Sequence, residues 1–349
     1  MKNKINIDDR PIGCEFPPYV IAELSANHNG DLENALKLIK VAKDAGADAL
    51  KLQTYTADTI TLNSDLPDFQ IKEGLWKGRS LYDLYEWAHT PWDWHEKLFA
   101  YAKEIGITIF STPFDYTAVD LLEDLNTPAY KIASFEAVDL ALIKYVASTG
   151  KPMIISTGMA DLDEIGEAIE AAREGGCEQL AILHCVSGYP APVEDYNLRT
   201  IPDMRDRFGL VTGLSDHTLD NTTAIASVAL GASIVEKHFT LDRNGGGPDD
   251  SFSLEPEDLS ALCAGTKTAW HALGKVNYER KESEKSNLKF RRSLYVVKDL
   301  KKGEIITTDN VRSIRPGYGM APKHLEEVIG KLIIEDCAAG TPLLPHLIA

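Results

Sequence analysis

Eight short runs rich in β-branched residues alternate with longer amphipathic runs, and few folds accommodate that order. The short runs are residues 19–23 (YVIAE), 49–53 (ALKLQ), 107–111 (ITIFS), 129–133 (AYKIA), 153–156 (MIIS), 180–184 (LAILH), 210–214 (LVTGL) and 233–237 (SIVEK). The stretches between them, such as DLENALKLIKVAKDAGA and DLDEIGEAIEAAREGG, open on an acidic or capping residue and close near glycine, as helices do. Most runs begin roughly 25 residues apart, the period of a strand plus its crossover helix. Eight such units predict an α/β fold, a closed (β/α)8 (TIM) barrel of parallel strands. A doubly wound open sheet is the alternative, but no GxGxxG follows the first strand.

One interval departs from the period, with about 58 residues between the starts of the second and third runs. The extra sequence, 54–90, includes LWKGRS and the start of the aromatic stretch LYDLYEWAHTPWDWH. It follows the C-terminal end of a strand, where barrels build their sites. It is expected to cover a substrate, with simple packing against the barrel rim as the alternative. After the helical run 257–273 the pattern changes. The barrel is assigned to residues 1–275, a basic polar linker to 276–290, and a small domain with short strands and glycine turns at Gly303 and Gly340 to 291–349. A unit of about 60 residues buries little core alone, so docking to another surface is expected.

The 349 residues include 36 Lys and Arg against 53 Asp and Glu, a net charge of −17. That balance argues against nucleic acid and anionic membrane surfaces as partners. No apolar run approaches the ~18 residues of a membrane helix. The start, MKNKINIDDRPIG, has no apolar stretch of the signal-peptide kind. Five widely spaced cysteines without a CxxC indicate neither a disulfide framework nor structural zinc. Each reads as a small buried hydrophobe in a protein of the reducing cytoplasm.

Polar residues that carry chemistry fall at the ends of the predicted strands. Lys51 and Gln53 share one face of the second. Thr112 ends the third, Lys131 lies on the fourth with Ser134 and Glu136 following, and Ser156 ends the fifth. Ser215 and His217 end the seventh, and Glu236 and His238 the eighth. A lysine on a barrel strand is costly unless it meets an anion, an ion-pair partner or water. Lys51 and Lys131 with the hydroxyls of Thr112, Ser134, Ser156 and Ser215 suit a phosphate. Two other readings stay open: satisfied ion pairs, or a Schiff-base lysine, which needs an unpaired amine. His217 and His238 end adjacent strands, so their imidazoles can converge on a divalent cation, with Mn2+ or Mg2+ favoured over structural zinc. Glu23 and Glu136 are candidates for base or water-orienting work, or else partners of the lysines. The turn His28–Gly30 reads as a helix cap or as part of the site. The Gly245–Asp250 loop offers carboxylates that could bond sugar hydroxyls or simply be solvated.

The ordered motifs IAELSANHNG, ADALKLQTY, STPFD, AYKIASFE, STGM, GLSDHT, IVEKHFT, GGPDDSFSLEP and RPGYGM resemble those of the sialic-acid synthase family along nearly the whole chain. ELSANHNG stands where EIGINHNG or EIGVNHNG marks neuraminate and legionaminate synthases. With LYDLYEWAHTPWDWH, FRRSLYVVKDLKKGE and SIRPGYGM, it looks like the pseudaminic branch. The resemblance implies a TIM barrel followed by an antifreeze-like (SAF) domain, in a domain-swapped homodimer. It implies condensation of phosphoenolpyruvate with the open-chain acetamido sugar 2,4-diacetamido-2,4,6-trideoxy-L-altrose, helped by a divalent metal. Neuraminate and legionaminate synthases, with the same chemistry, are the alternative. Carried over by position, Lys51, Thr112, Lys131, Ser134, Ser156 and Ser215 match phosphoenolpyruvate contacts, and His217 and His238 match metal ligands. Glu136 matches the carboxylate near the reacting centre and Glu23 the acidic residue ending the first strand. Gln53, Tyr189 and Asp249 match sugar contacts. Arg315 matches an arginine that the small domain presents to an acylated sugar, usually in the partner subunit. Ser187 departs from the asparagine of neuraminate synthases.

Overall fold

The computed structural model describes residues 4–349. Two strands, β1 (Ile5–Ile7) and β2 (Arg10–Ile12), pair antiparallel around a turn at Asp8 and Asp9. Their alternation buries Ile5, Ile7 and Ile12 against inward-facing Tyr19, Ile21, Phe110 and Ile154. This hairpin plugs the end of the barrel away from the strand C-termini. Strands this short carry no clear period in the sequence.

Eight parallel strands follow: β3 (Tyr19–Glu23), β4 (Ala49–Thr54), β5 (Thr108–Pro113), β6 (Tyr130–Ile132), β7 (Met153–Ser156), β8 (Leu180–Cys185), β9 (Val211–Asp216) and β10 (Ile234–His238). They form a closed barrel in which β10 pairs with β3, Ile234 beside Tyr19 and His238 beside Glu23. The expected eight-unit barrel is therefore present. Strand bounds shift by a residue or two, as where Thr108 rather than Ile107 begins β5.

The period-2 alternation of a strand sorts its side chains into two environments. On β4, Leu50 and Leu52 join the core between the sheet and the helices, while Ala49 faces the barrel interior. Lys51 and Gln53 share the parity of Ala49. Similarly, Val20 and Ala22 face the helices, whereas Tyr19 and Ile21 face inward. The interior is thus layered. Its lower part is apolar, with Ala49, Phe110, Ala129, Ile154, Ala181, Leu183 and Ile234. The strand positions two residues further on are largely polar or ionisable: Glu23, Lys51, Thr112, Lys131, Ser156, Cys185, Ser215 and Glu236. All eight are buried.

One compact unit ends at Gly274 and a second runs Lys275–Ala349. Within the second, β11 (Ser293–Val296) pairs antiparallel with β12 (Val311–Ile314). Leu294, Val296, Ile306, Val311 and Leu343 make its own small core. The segment read as a linker carries a short exposed helix, Glu282–Lys285, and a turn, Ser286–Phe290.

Candidate active site

Lys51 and Lys131 meet buried carboxylates at the polar end of the barrel. The Lys51 ammonium lies 3.0 Å from Glu23 and 3.2 Å from Glu236, and Lys131 lies 3.5 Å from Glu236. Lys51 also donates to the Thr112 hydroxyl at 3.2 Å. Burial opposes the Lys51 charge, but Glu23 and Glu236 outweigh it and raise its pKa. Burial dominates at Lys131 and lowers its pKa. Burial likewise resists ionisation of Glu236, yet the two lysines hold its pKa below the usual carboxylate value. Burial pushes Glu23 up to about 7, against the pull of Lys51. Glu236 is thus a central member of the site that sequence noted but did not assign. Neither amine is unpaired, which weighs against the Schiff-base reading.

Around this cluster, several buried polar atoms have no hydrogen-bond partner among the described residues: Glu136 Oε2, Ser156 Oγ, Ser187 Oγ, Glu236 Oε2 and His238 Nδ1. Buried polar groups are normally satisfied, so such a concentration at one end of a barrel marks a surface built for a polar ligand. Ser187, doubtful from sequence, belongs to this set. Its hydroxyl and the Ser134 side chain crowd the backbone of Gly158, where an added Cβ would lie 2.6 Å from Ser187 Oγ and 2.2 Å from Ser134 Cβ. Ser215 approaches Glu236 at 3.5 Å.

A cavity of about 290 Å3 opens beside the cluster, lined by Ser25, Gln53, Glu136, Tyr189, His238 and Asp249 together with an apolar group. Gln53 donates to Glu23 at 3.0 Å and to Ser25 at 2.9 Å. Ser25 in turn donates to Asp249. Burial raises Glu136 to about 7 and Asp249 to about 6. The Tyr189 ring packs 4.4 Å from His217 and 5.2 Å from Phe252.

The His217 and His238 rings lie 5.4 Å apart. A 2.8 Å hydrogen bond joins His217 Nδ1 to the Val186 carbonyl, so Nδ1 carries the proton and Nε2 is the nitrogen that could meet a cation. Burial opposes the His217 charge, but Cys185 beside the ring outweighs it and raises the pKa, so a bound cation would displace a proton here. Burial, then the His217 charge, depresses the His238 pKa well below its ordinary value, which keeps that imidazole neutral. This donor set fits a divalent cation held by two imidazoles and completed by ligand oxygens. Among the described residues no three His, Cys, Asp or Glu side chains are grouped so as to hold a metal ion by themselves. The outward-facing Lys237 bonds Asp216 at 2.8 Å and the Thr218 and Asp220 carbonyls, fixing the loop that carries His217.

Three further expectations meet a different arrangement. Cys185, read as an inert hydrophobe, faces the polar layer. Burial would raise its thiol, but His217, Ser134 and Lys131 pull it below the ordinary value. The cap of the helix Leu32–Asp44 is Asp31, whose carboxylate accepts from Glu33, and not the HNG turn. The neighbouring Asn27 and Asn29 instead bond Phe239, Ser253 and Asp250, tying this turn to the loop after β10. Of the two loop acids, only Asp249 faces the cavity. Asp250 is used internally by Thr240 and Gly247. Arg315 lies exposed in the second compact unit, just past β12.

Fold and site together define a (β/α)8-barrel protein with an anion- and metal-compatible pocket at its strand C-termini. The chain belongs to the NeuB family, whose model matches residues 38–278, and the SAF domain model matches 291–349. It is 45% identical over 325 residues to a pseudaminic acid synthase of Campylobacter jejuni, covering 93% of this chain and 95% of that protein. It is 43% identical over 329 residues to a pseudaminic acid synthase of Helicobacter pylori, covering 94% and 96% respectively. The crystal structure of N-acetylneuraminic acid synthetase from Leptospira borgpetersenii superposes with a TM-score of 0.73 at 30% identity, covering 83% of this chain and 97% of that one.

Proposed function

We propose that this protein condenses phosphoenolpyruvate with open-chain 2,4-diacetamido-2,4,6-trideoxy-L-altrose, releasing phosphate and forming pseudaminic acid. The observation that carries the reading is the pairing of two buried lysines with a ring of unsatisfied hydroxyls and carboxylates directly beside a sugar-sized cavity. The names of the similar synthases support it. Lys51, Lys131, Thr112, Ser134, Ser156 and Ser215 bind phosphoenolpyruvate, and Lys51 and Lys131 loosen their hold on Glu236 as the anion enters. Gln53, Tyr189 and Asp249 orient the sugar. His217 and His238 would hold a divalent cation, Mn2+ or Mg2+, which supplies Lewis-acid polarisation of the aldehyde. C3 of phosphoenolpyruvate forms a bond to the aldehyde carbon, whose oxygen takes a proton. Glu136, with its pKa near 7, is placed to donate that proton or to receive one from water adding at C2. The C2–O bond of the tetrahedral intermediate then breaks and phosphate departs with the bridging oxygen. Glu23 holds Gln53 and Lys51 in place.

Arg315 of a partner subunit reaches the acylated sugar in a domain-swapped homodimer, its planar guanidinium donating to an amide carbonyl. The protein works in the reducing cytoplasm, a reading supported by its five free cysteines. No helix among the described residues is long and apolar enough to cross a membrane.

The test is phosphate release from phosphoenolpyruvate with three sugars side by side: the L-altro compound, the legionaminate precursor and N-acetylmannosamine. Preference for the first is expected, with 18O from the C2–O–P bridge leaving in phosphate. Preference for either other sugar would move the protein to that branch, and release from none would end the reading.

A further inference from the structure

The cavity has two unlike sides. Strand ends and the loops after them supply Gln53, Glu136, His238 and Asp249, while the insertion after β4 supplies the aliphatic Ile60, Leu84 and Ala88 together with Tyr55, Trp76 and Tyr85. Among the described residues no lysine or arginine lines the cavity. Ile60 ends the short helix Ala57–Ile60, and Leu84 and Ala88 lie one turn apart on the helix Leu81–Ala88, so both reach the same side. This side is braced. Tyr55 packs edge-on against Tyr85 at 5.7 Å and Phe114 at 5.1 Å, and the Trp92 indole donates to the Tyr55 carbonyl at 3.1 Å. Trp76 donates to the Pro248 carbonyl at 2.9 Å, pinning the insertion to the loop that carries Asp249.

We infer that Ile60, Leu84 and Ala88 form a specificity wall that receives the C5–C6 end of the sugar and selects a methyl group there over a hydroxymethyl group. The inference rests on the proposed synthase reading. The aldehyde end belongs with His238 and Glu136, so a sugar spanning the cavity presents its far end to the insertion. The side chains of Ile60, Leu84 and Ala88 contain no polar atom. A 6-hydroxyl held against these three side chains, away from the Tyr55 and Tyr85 hydroxyls that also line the cavity, gives up its water without gaining a partner, whereas a methyl gains contact area. Rejection by an unpaired hydroxyl and discrimination by one apolar group each give about 10- to 200-fold in kcat/KM.

The experiment compares kcat/KM for the 6-deoxy sugar and its 6-hydroxy counterpart at saturating phosphoenolpyruvate, in wild type, Leu84→Asn and Ile60→Thr. Wild type should prefer the 6-deoxy sugar by ~10-fold or more. Each variant should lower that ratio by ~10-fold, with the KM for phosphoenolpyruvate unchanged. Ile60→Thr keeps the β-branch, places a hydroxyl at the wall and stands in if Leu84→Asn fails to fold. Equal use of both sugars by wild type, or an unaltered ratio in a folded variant, overturns the wall while leaving the synthase reading intact. Absence of phosphate release with any sugar overturns the synthase reading itself.

Discussion

Glu136 has a buried oxygen without a protein partner and a pKa raised from 4.5 to about 7 by burial. A carboxyl whose folded pKa lies above its unfolded value favours folding while protonated. That contribution is complete below about 4.5 and is lost as pH rises through about 7. Glu136→Gln cannot ionise, so its Tm relative to wild type should climb by roughly a few degrees between about pH 5 and pH 8. A pH-independent difference would contradict the raised pKa. The same variant should lose ~100-fold or more in kcat through loss of proton transfer. His238 makes a separate test. His238→Ala should fold yet lose ~100-fold or more in turnover, since removing a ligand costs at least as much as removing its outer partner. Near-normal kcat would take His238 out of the metal site.

The turn after β7 sets how closely neighbouring strand ends approach. Gly158 has φ +29°, and a Cβ added there would run into the Ser134 and Ser187 side chains. Only a residue without Cβ lets these hydroxyls converge behind Ser156. Gly158→Ala should cost about 1–3 kcal/mol through overpacking and raise the KM for phosphoenolpyruvate more than that for the sugar. Thermal unfolding and phosphate-release kinetics read the two effects separately. An unchanged Tm would show that the turn relaxes freely. At this scale sequence was informative about regular elements and poor at their junctions. Period-2 alternation on β4 placed Lys51 and Gln53 together, because strand geometry is local. For the HNG turn sequence leaves a cap and a site role both open, because the partners of Asn27 and Asn29, Phe239, Ser253 and Asp250, lie more than two hundred residues further on.

For the whole molecule, the proposed metal dependence and shared site predict collective behaviour. Chelation with EDTA should abolish phosphate release and Mn2+ should restore it; persistent activity would contradict a metal role for the two imidazoles. Arg315→Ala should raise the sugar KM by ~10-fold or more with little effect on phosphoenolpyruvate, as for loss of a charged hydrogen bond. If Arg315 serves a partner subunit, mixing and reassociating Arg315→Ala and His238→Ala chains should recover part of the activity, because some sites then receive both intact residues. No recovery would place Arg315 in its own chain's site.

The alternation of strand and helix was enough to determine the barrel, since a repeating βα pattern with a right-handed crossover has few ways to close. It also determined that cations and imidazoles sit at strand C-termini. What only the tertiary structure decided is which of them touch. Glu236 joins Lys51 to Lys131, and Cys185 turns from packing residue to neighbour of His217. Leu84 and Ala88 come to line one cavity with Gln53. These contacts link distant stretches of chain, and their energies depend on burial and on distances of a few ångströms. Closure of the barrel sets both.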